Sequence, residues 1–156
     1  MGCPAHGKEG ELDQNLYIVG HSGGSAAGLA YVQALETGNG IGGMLLVAAC
    51  CKPLSAVRKS WDFFPKHGNV FDWEMIKTNC GKVAALRSDN DKLVPREHAD
   101  ELREKLGAEI IVCEGMGHFH TDDGAARLPV ARDVLLEWTG IRTRQSWPLI
   151  PPGFSP

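Results

Sequence analysis

Residues 16–24 read LYIVGHSGG, a short apolar run that ends in a glycine-rich turn. The run at 16–19 is continuously apolar and partly β-branched, which is typical of a strand covered on both faces. Small and apolar side chains from Ser25 to Leu35 then predict a helix, and the Gly38-Asn39-Gly40 stretch ends it. A strand, a tight turn and a helix in this order predict an α/β fold.

Three further strand-then-helix units follow along the chain. Strands are predicted at 44–49, about 82–87 and 109–113, and helices at about 71–78, from Pro95 to Gly107 and from Pro129 to Gly140. The last two helices begin with proline and end at glycine, as helices often do. We therefore predict a three-layer, Rossmann-like architecture: a right-handed, doubly wound, mostly parallel sheet with helices on both faces.

Length and composition predict a single globular domain. The 156 residues, 43% of them hydrophobic and 22% charged, suffice for one core. We place this domain at 15–140, between a polar leader at 1–14 and a proline-rich tail at 141–156. The net charge of −3 argues against a nucleic-acid partner. Because no apolar run is long enough for a membrane span or a signal peptide, we expect no membrane partner and a cytoplasmic location.

Two groups of side chains have more than one interpretation. The five cysteines lack CxxC or zinc-type spacing and are predicted to be free thiols. Vicinal Cys50 and Cys51 either pack at a strand end, which is favoured, or form a redox pair. Aromatic residues between the second and third strands either belong to the core, which is favoured, or form an apolar pocket wall: Trp61, Phe63, Phe64, Phe71 and Trp73.

The turn after the first strand contains the motif G-x-S-x-G, read here as Gly20-His21-Ser22-Gly23-Gly24. Small residues on both sides let the chain turn sharply and hold the serine hydroxyl clear of the sheet. Ser22 is thus a candidate nucleophile, and the backbone N–H of Gly23 is a candidate donor to an oxyanion. The same glycines also suit a helix start packed closely on the sheet, or a phosphate-binding loop.

Two later strand-end loops contain the residue types that activate a serine. Residues 88–95 read SDNDKLVP after the third strand, and residues 115–120 read GMGHFH after the fourth. Because the carboxyl ends of parallel strands meet at one edge, we expect an aspartate and a histidine near Ser22. His120 with Asp122 and Asp123 also suggests a metal site, but ligands on a loop are weaker support than a complete triad, and we expect no metal.

The GHSGG, SDNDKLVP and GMGHFH motifs, with WEMIKTNC at 73–80, resemble the α/β-hydrolase superfamily over residues 16–139. The resemblance is closest to the small serine hydrolases typified by retinoblastoma-binding protein 9. It implies that Ser22 is the nucleophile, His118 the base and Asp91 the acid, four residues before Pro95; Asp89 is the alternative acid. It also implies hydrolysis of a small ester, amide or peptide without a cofactor.

The sequence departs from this family pattern at its amino terminus. Only 21 residues precede Ser22, and the first 15 are too polar for a buried strand, so the family's first strands and its second oxyanion donor are expected to be lacking. The first strand then becomes an exposed edge, which predicts a homodimer formed through it. The alternative function is a catalytically impaired hydrolase-fold binding or scaffold protein, or a truncated gene product.

Overall fold

The computed structural model describes residues 14–54, 64 and 71–141. Over this part of the chain, strands and helices alternate. The strands are β1 (Tyr17–His21), β2 (Ile41–Val47), β3 (Cys80–Ser88) and β4 (Glu109–Cys113). The helices are α1 (Gly23–Gln33), α2 (Trp73–Asn79), α3 (Glu97–Leu106) and α4 (Pro129–Thr139), with a 3₁₀ turn at Thr121–Asp123 before α4.

The four strands form one parallel sheet in the order β1-β2-β3-β4. Along one row of the register, Leu46 lies beside Gly20 of β1 and Ala85 of β3, and Ala85 in turn lies beside Ile110 of β4. The predicted α/β class and parallel sheet are therefore confirmed. All four strands end at the same edge, which brings the loops after them together.

Helices cover both faces of the sheet. Met44 and Leu46 of β2 pack with buried residues of α1, α2 and α3 on one face, while Leu45 and Val47 pack toward α4 on the other. Successive side chains of a strand point to opposite faces, so the continuously apolar β2 serves both cores. Helices α1, α2 and α3 each connect one strand to the next strand in the sheet, and the strand order does not reverse. Because such crossovers are right-handed, all three helices lie on the same face. None of the described helices is long and apolar enough to cross a bilayer.

The second strand differs most from its predicted bounds of 44–49. It begins earlier, at Ile41, and so contains Gly43. Gly43 lies inside the sheet, where a Cβ would stand 2.7 Å from the carbonyl oxygen of Lys82. It ends earlier, at Val47, because Ala48 adopts a left-handed φ of 44° while its N–H bonds to the Leu86 carbonyl. The glycines there allow close strand packing rather than a turn.

The described aromatic residues of the irregular segment belong to the core. Phe64 and Phe71 are buried with their ring centroids 5.8 Å apart, and Trp73 packs on Phe71 at 5.5 Å. The core interpretation therefore holds for these three. Trp61 and Phe63 lie outside the described residues, as do most of the predicted leader and tail.

Candidate active site

Ser22 stands at a strained turn between β1 and α1. Its φ of 52° and ψ of −118° are unusual for a residue with a side chain, and such backbone strain costs on the order of 1–3 kcal/mol. The surrounding chain satisfies both of its peptide groups. The N–H of Ser22 donates to the Val47 carbonyl at 2.9 Å, and its own carbonyl accepts from the N–H of Ser25 at 3.0 Å and the Cys50 thiol at 3.2 Å.

Gly20 is required for this turn to pack against the helix that follows. A Cβ at Gly20 would lie 2.7 Å from the Gly24 carbonyl oxygen and 2.8 Å from the Cα of Ser25. The buried Ser25 hydroxyl also donates to the Gly20 carbonyl at 3.0 Å. The first turn of α1 therefore sits directly on the end of β1, which fixes the position of the Ser22 side chain.

The structure brings Ser22, His118 and Asp91 together in one hydrogen-bonded chain. His118 Nε2 lies 2.9 Å from Ser22 Oγ, and His118 Nδ1 lies 2.9 Å from Asp91 Oδ2. A carboxylate only accepts, so Nδ1 is the donor and the lone pair of neutral His118 is on Nε2, facing the hydroxyl. The side chains of His118 and Asp91 are 8% and 4% exposed, so water screens this pair little.

The two candidate acids have different positions. Asp91 is held by its own loop, since its Oδ1 accepts the N–H groups of Leu93 at 2.8 Å and Val94 at 3.1 Å, which leaves Oδ2 for His118. Asp89 instead accepts the N–H of Gly115 at 2.7 Å and makes no described contact with the His118 ring. The Asp91 carboxylate, and not that of Asp89, therefore bonds to the His118 ring.

The loop at 115–118 donates four consecutive backbone N–H groups to side chains. The acceptors are Asp89 for Gly115 at 2.7 Å, Ser88 for Met116 at 2.9 Å, Asn90 for Gly117 at 2.8 Å and Asp123 for His118 at 2.9 Å. We call these four hydrogen bonds the loop clamp. No sequence pattern indicates these roles of Ser88 and Asn90, because the bonds join loops 27 or 28 residues apart. The only local signal is the run of polar side chains at the end of β3.

Two further histidines surround His118. His21 is exposed and its Nε2 donates to the His118 carbonyl at 2.8 Å. The His120 ring lies 5.0 Å from the His118 ring and 5.6 Å from the His21 ring. The Asp123 carboxylate, which the sequence groups with His120 and Asp122 as an alternative metal site, accepts the backbone N–H groups of both His118 and His120.

Gly23 is the first residue of α1, where backbone N–H groups have no acceptor within the helix. The helix dipole adds partial positive charge at this point, so the Gly23 N–H is suited to a developing oxyanion beside Ser22. Most of the chain before β1, where the family resemblance puts the second donor, lies outside the described residues.

The cysteines after β2 support this site through packing. Burial raises the pKa of the Cys50 thiol, and it raises that of Cys51 to about 12, so both stay protonated near neutral pH. Cys50 uses its proton to bond the Ser22 carbonyl, a contact that sequence reasoning missed. Cys51 donates its backbone N–H to His98 Nδ1 at 3.1 Å. All four described cysteines are free thiols. For Cys50 and Cys51, packing at the strand end fits better than a redox pair.

A cleft of about 280 Å³ opens beside His118. Its walls include Asn90, Lys92, Leu93 and His120. Two larger depressions, of about 550 and 540 Å³, lie at the opposite end of the sheet and contain none of the three hydrogen-bonded residues. The cleft of about 280 Å³ therefore adjoins the hydrogen-bonded chain at His118.

Comparison with solved structures defines the fold class. The crystal structure of the ydeN gene product from B. subtilis superposes with a TM-score of 0.75 at 29% identity, over 83% of this chain and 68% of that one. The 2-hydroxy-6-oxo-6-phenylhexa-2,4-dienoate hydrolase (BphD) from Rhodococcus sp. strain RHA1 gives 0.59 at 16% identity, over 82% and 65%, a likeness of fold alone. The described part of the chain therefore has the α/β-hydrolase fold.

Sequence comparison then gives the family. The chain is 30% identical over 133 residues to YdeN of Bacillus subtilis (strain 168), covering 85% of this chain and 68% of YdeN. It is 24% identical over 124 residues to serine hydrolase RBBP9 of Rattus norvegicus, covering 79% of this chain and 63% of that protein. The family model described as serine hydrolase matches residues 8–137, and the chain belongs to this family.

Proposed function

We propose that the chain hydrolyses a small ester, amide or peptide through an acyl-enzyme formed on Ser22. The observation that carries this proposal is the pair of 2.9 Å hydrogen bonds from Ser22 through His118 to Asp91, at the carboxyl end of a parallel sheet. A nucleophile, a base and an orienting acid within hydrogen-bond reach are the arrangement that activates a serine.

The geometry supports the following order of proton transfers. His118 Nε2 takes the Ser22 proton as Oγ attacks the substrate carbonyl carbon, and the oxyanion develops toward the Gly23 N–H. The imidazolium, stabilised by ionised Asp91, returns this proton to the leaving group as the carbonyl re-forms. A water molecule then attacks the acyl-enzyme, with His118 again taking and returning a proton, which releases the acid and restores Ser22. No cofactor is needed for these steps.

The volume of the cleft beside His118 favours a small substrate. A volume of about 280 Å³ is at the lower end for ligand pockets, which favours a small acyl or leaving group. The Lys92 and Asn90 side chains on its wall offer hydrogen bonds to polar substituents. These features support small polar esters and amides as the first compounds to test.

The proposal is tested by intact-mass measurement of covalent labelling with a fluorophosphonate probe, which requires an activated serine but no knowledge of the substrate. We expect one label on the wild-type chain and none on the Ser22→Ala and His118→Ala variants. Circular dichroism of each variant establishes that it is folded. A folded wild-type chain that takes no label would overturn the proposal and favour a binding role.

The acid is tested by a matched pair of variants. Asp91→Asn removes the charge that orients and stabilises His118, and we expect a rate loss of about ten-thousandfold in the hydrolysis of an activated ester. Asp89→Asn keeps an oxygen that can accept from the Gly115 N–H, so its loss should be less than about tenfold. Equal losses in the two variants would contradict the assignment of Asp91.

A further inference from the structure

Three imidazole rings converge at the mouth of the site. The His118 ring centroid lies 5.0 Å from that of His21 and 5.0 Å from that of His120, and the other pair is 5.6 Å apart. One ring nitrogen from each of the three lies within 4.8 Å of the others. The hydrolysis scheme uses only His118, so the other two histidines have no chemical role in it.

Hydrogen bonds orient two of these rings in the way that metal-binding histidines are oriented. Asp91 holds His118 by Nδ1, which leaves Nε2 as the ligand atom, and a carboxylate in this position is the usual support of a metal-ligating histidine. His21 must carry its proton on Nε2 to donate to the His118 carbonyl, so the lone pair of neutral His21 is on Nδ1.

We propose that His21, His118 and His120 bind one Zn²⁺ ion, which inhibits the enzyme reversibly. Neutral imidazole is a preferred zinc ligand, and three of them with one water complete a tetrahedral shell. Zinc–nitrogen bonds of about 2.0–2.1 Å need ligand nitrogens about 3.3 Å apart. The nitrogens must therefore approach one another by up to about 1.5 Å, and rotation of the exposed His21 and His120 side chains toward the buried His118 supplies this movement.

The inhibition follows from competition for one lone pair. His118 Nε2 accepts the Ser22 hydroxyl at 2.9 Å, and the same nitrogen is the one that ligates zinc. A zinc-bound His118 cannot take the Ser22 proton, so the bound ion blocks formation of the acyl-enzyme. The metal binding itself is independent of the proposed function, whereas its inhibitory effect rests on that function.

Binding is measured by equilibrium dialysis of the full chain against ZnCl₂ in chelator-treated buffer at neutral pH. We expect one tightly bound Zn²⁺ per wild-type chain. His120→Asn should weaken this binding roughly tenfold or more, because one of three ligands is lost. Asp122→Asn is the matched control: this neighbouring exposed carboxylate is outside the imidazole cluster, and its removal should change the affinity less than twofold. Equal affinity in the wild type and His120→Asn would show that any bound ion is adventitious and would overturn the site.

Inhibition is measured by the zinc concentration that halves the rate of fluorophosphonate labelling. We expect this concentration to rise roughly tenfold in His120→Asn relative to the wild type, and labelling to recover when EDTA is added. A chain that binds zinc through His120 but is never labelled would support the metal site and reject the proposed hydrolysis. A chain that is labelled normally in saturating zinc would reject the inhibitory site and leave hydrolysis standing.

Discussion

The Asp123 carboxylate accepts the backbone N–H of His118 at 2.9 Å, through the same oxygen that accepts the N–H of His120 at 3.2 Å. The contact is close enough that a Cβ at Gly117 would lie 2.5 Å from the carboxylate carbon, and Gly117 has a φ of 52°. Asp123 thus fixes the backbone of His118 while Asp91 fixes its ring. One aspartate positions the loop and the other orients the imidazole.

We expect Asp123→Ala to lower kcat/KM about tenfold, or about 1.4 kcal/mol, because the His118 backbone loses its acceptor while the ring and its two partners remain. Asp123→Asn keeps an amide oxygen in the same place and should retain most of the rate. Ester hydrolysis by both variants, with a pH profile of each, checks this. A positioning role is contradicted if Asp123→Ala retains the full rate.

The matched glycines of the turn give a second prediction. Gly20→Ala forces a Cβ against the backbone of Gly24 and Ser25, and overpacking of this kind costs about 1–3 kcal/mol of unfolding free energy. Gly24→Ala places its Cβ where nothing lies within 4 Å, inside α1, and should leave stability unchanged or raise it by up to about 1 kcal/mol. Urea unfolding of both variants measures the difference.

Labelling of the same two variants separates stability from activity. Gly20→Ala should lose fluorophosphonate labelling even where it is folded, since the first turn of α1 must shift and Ser22 moves with it. Gly24→Ala should label at the wild-type rate. A folded Gly20→Ala that labels normally would show that the close packing of Gly20 is unnecessary for the turn.

Much of the architecture could be predicted from local pattern. The apolar period and the flanking glycines gave β4 its observed bounds, and Pro129 and Gly140 bracketed α4. The glycines of β2 were misleading, because glycine in a sequence signals a turn, whereas Gly43 serves close strand packing. The apolar pattern alone therefore places the start of β2 three residues late.

The candidate site was predictable only in part, for a physical reason. Because parallel strands end at one edge of the sheet, a serine, an aspartate and a histidine in the loops after them are predicted to lie together. This rule does not distinguish Asp89 from Asp91. The two differ in the structure because the Asp89 carboxylate accepts the N–H of the distant Gly115, whereas Asp91 bonds to the His118 ring. The bond from the Cys50 thiol to the Ser22 carbonyl and the loop-clamp bonds to Ser88, Asp89 and Asn90 likewise join remote segments, and they have no periodic signature.

The edge of the sheet at β1 leads to a prediction about assembly. Within the described residues β1 pairs with β2 only, and Val19 on it is 54% exposed. An unpaired strand edge with exposed apolar side chains favours pairing with a second chain, so we expect a homodimer through β1 at micromolar concentration. Val19→Lys should shift the chain to monomer in sedimentation velocity experiments.

A matched variant at the other edge controls for general solubility. Val112 on β4 is 48% exposed, and β4 pairs with β3 only among the described strands. Val112→Lys adds the same charge at the opposite edge and should leave the dimer intact. A wild-type chain that sediments as a stable monomer, or a dimer broken by Val112→Lys alone, contradicts pairing through β1.

The buried His98 predicts an acid-sensitive fold. This residue is 3% exposed, and its Nδ1 accepts the Cys51 N–H. Burial lowers the pKa of His98, and the nearby Lys52 lowers it further, against the opposing effect of Glu101 and Glu97. In the unfolded chain the pKa returns to about 6.5, so below that pH the unfolded state binds more protons than the folded state. The stability contributed by neutral His98 is present above about pH 6.5 and is lost as the pH falls toward the lower folded pKa.

The expected size of this effect has a thermodynamic limit. A difference of one bound proton changes the unfolding free energy by at most about 1.4 kcal/mol per pH unit, so the wild-type curve should slope downward below about pH 6.5 by part of that amount. His98→Gln removes the titrating group and should reduce the slope, whatever it does to the stability at pH 8. Urea unfolding of both proteins between pH 8 and pH 5 provides the comparison. Parallel curves would mean that other groups cause the acid sensitivity and that burial of His98 does not.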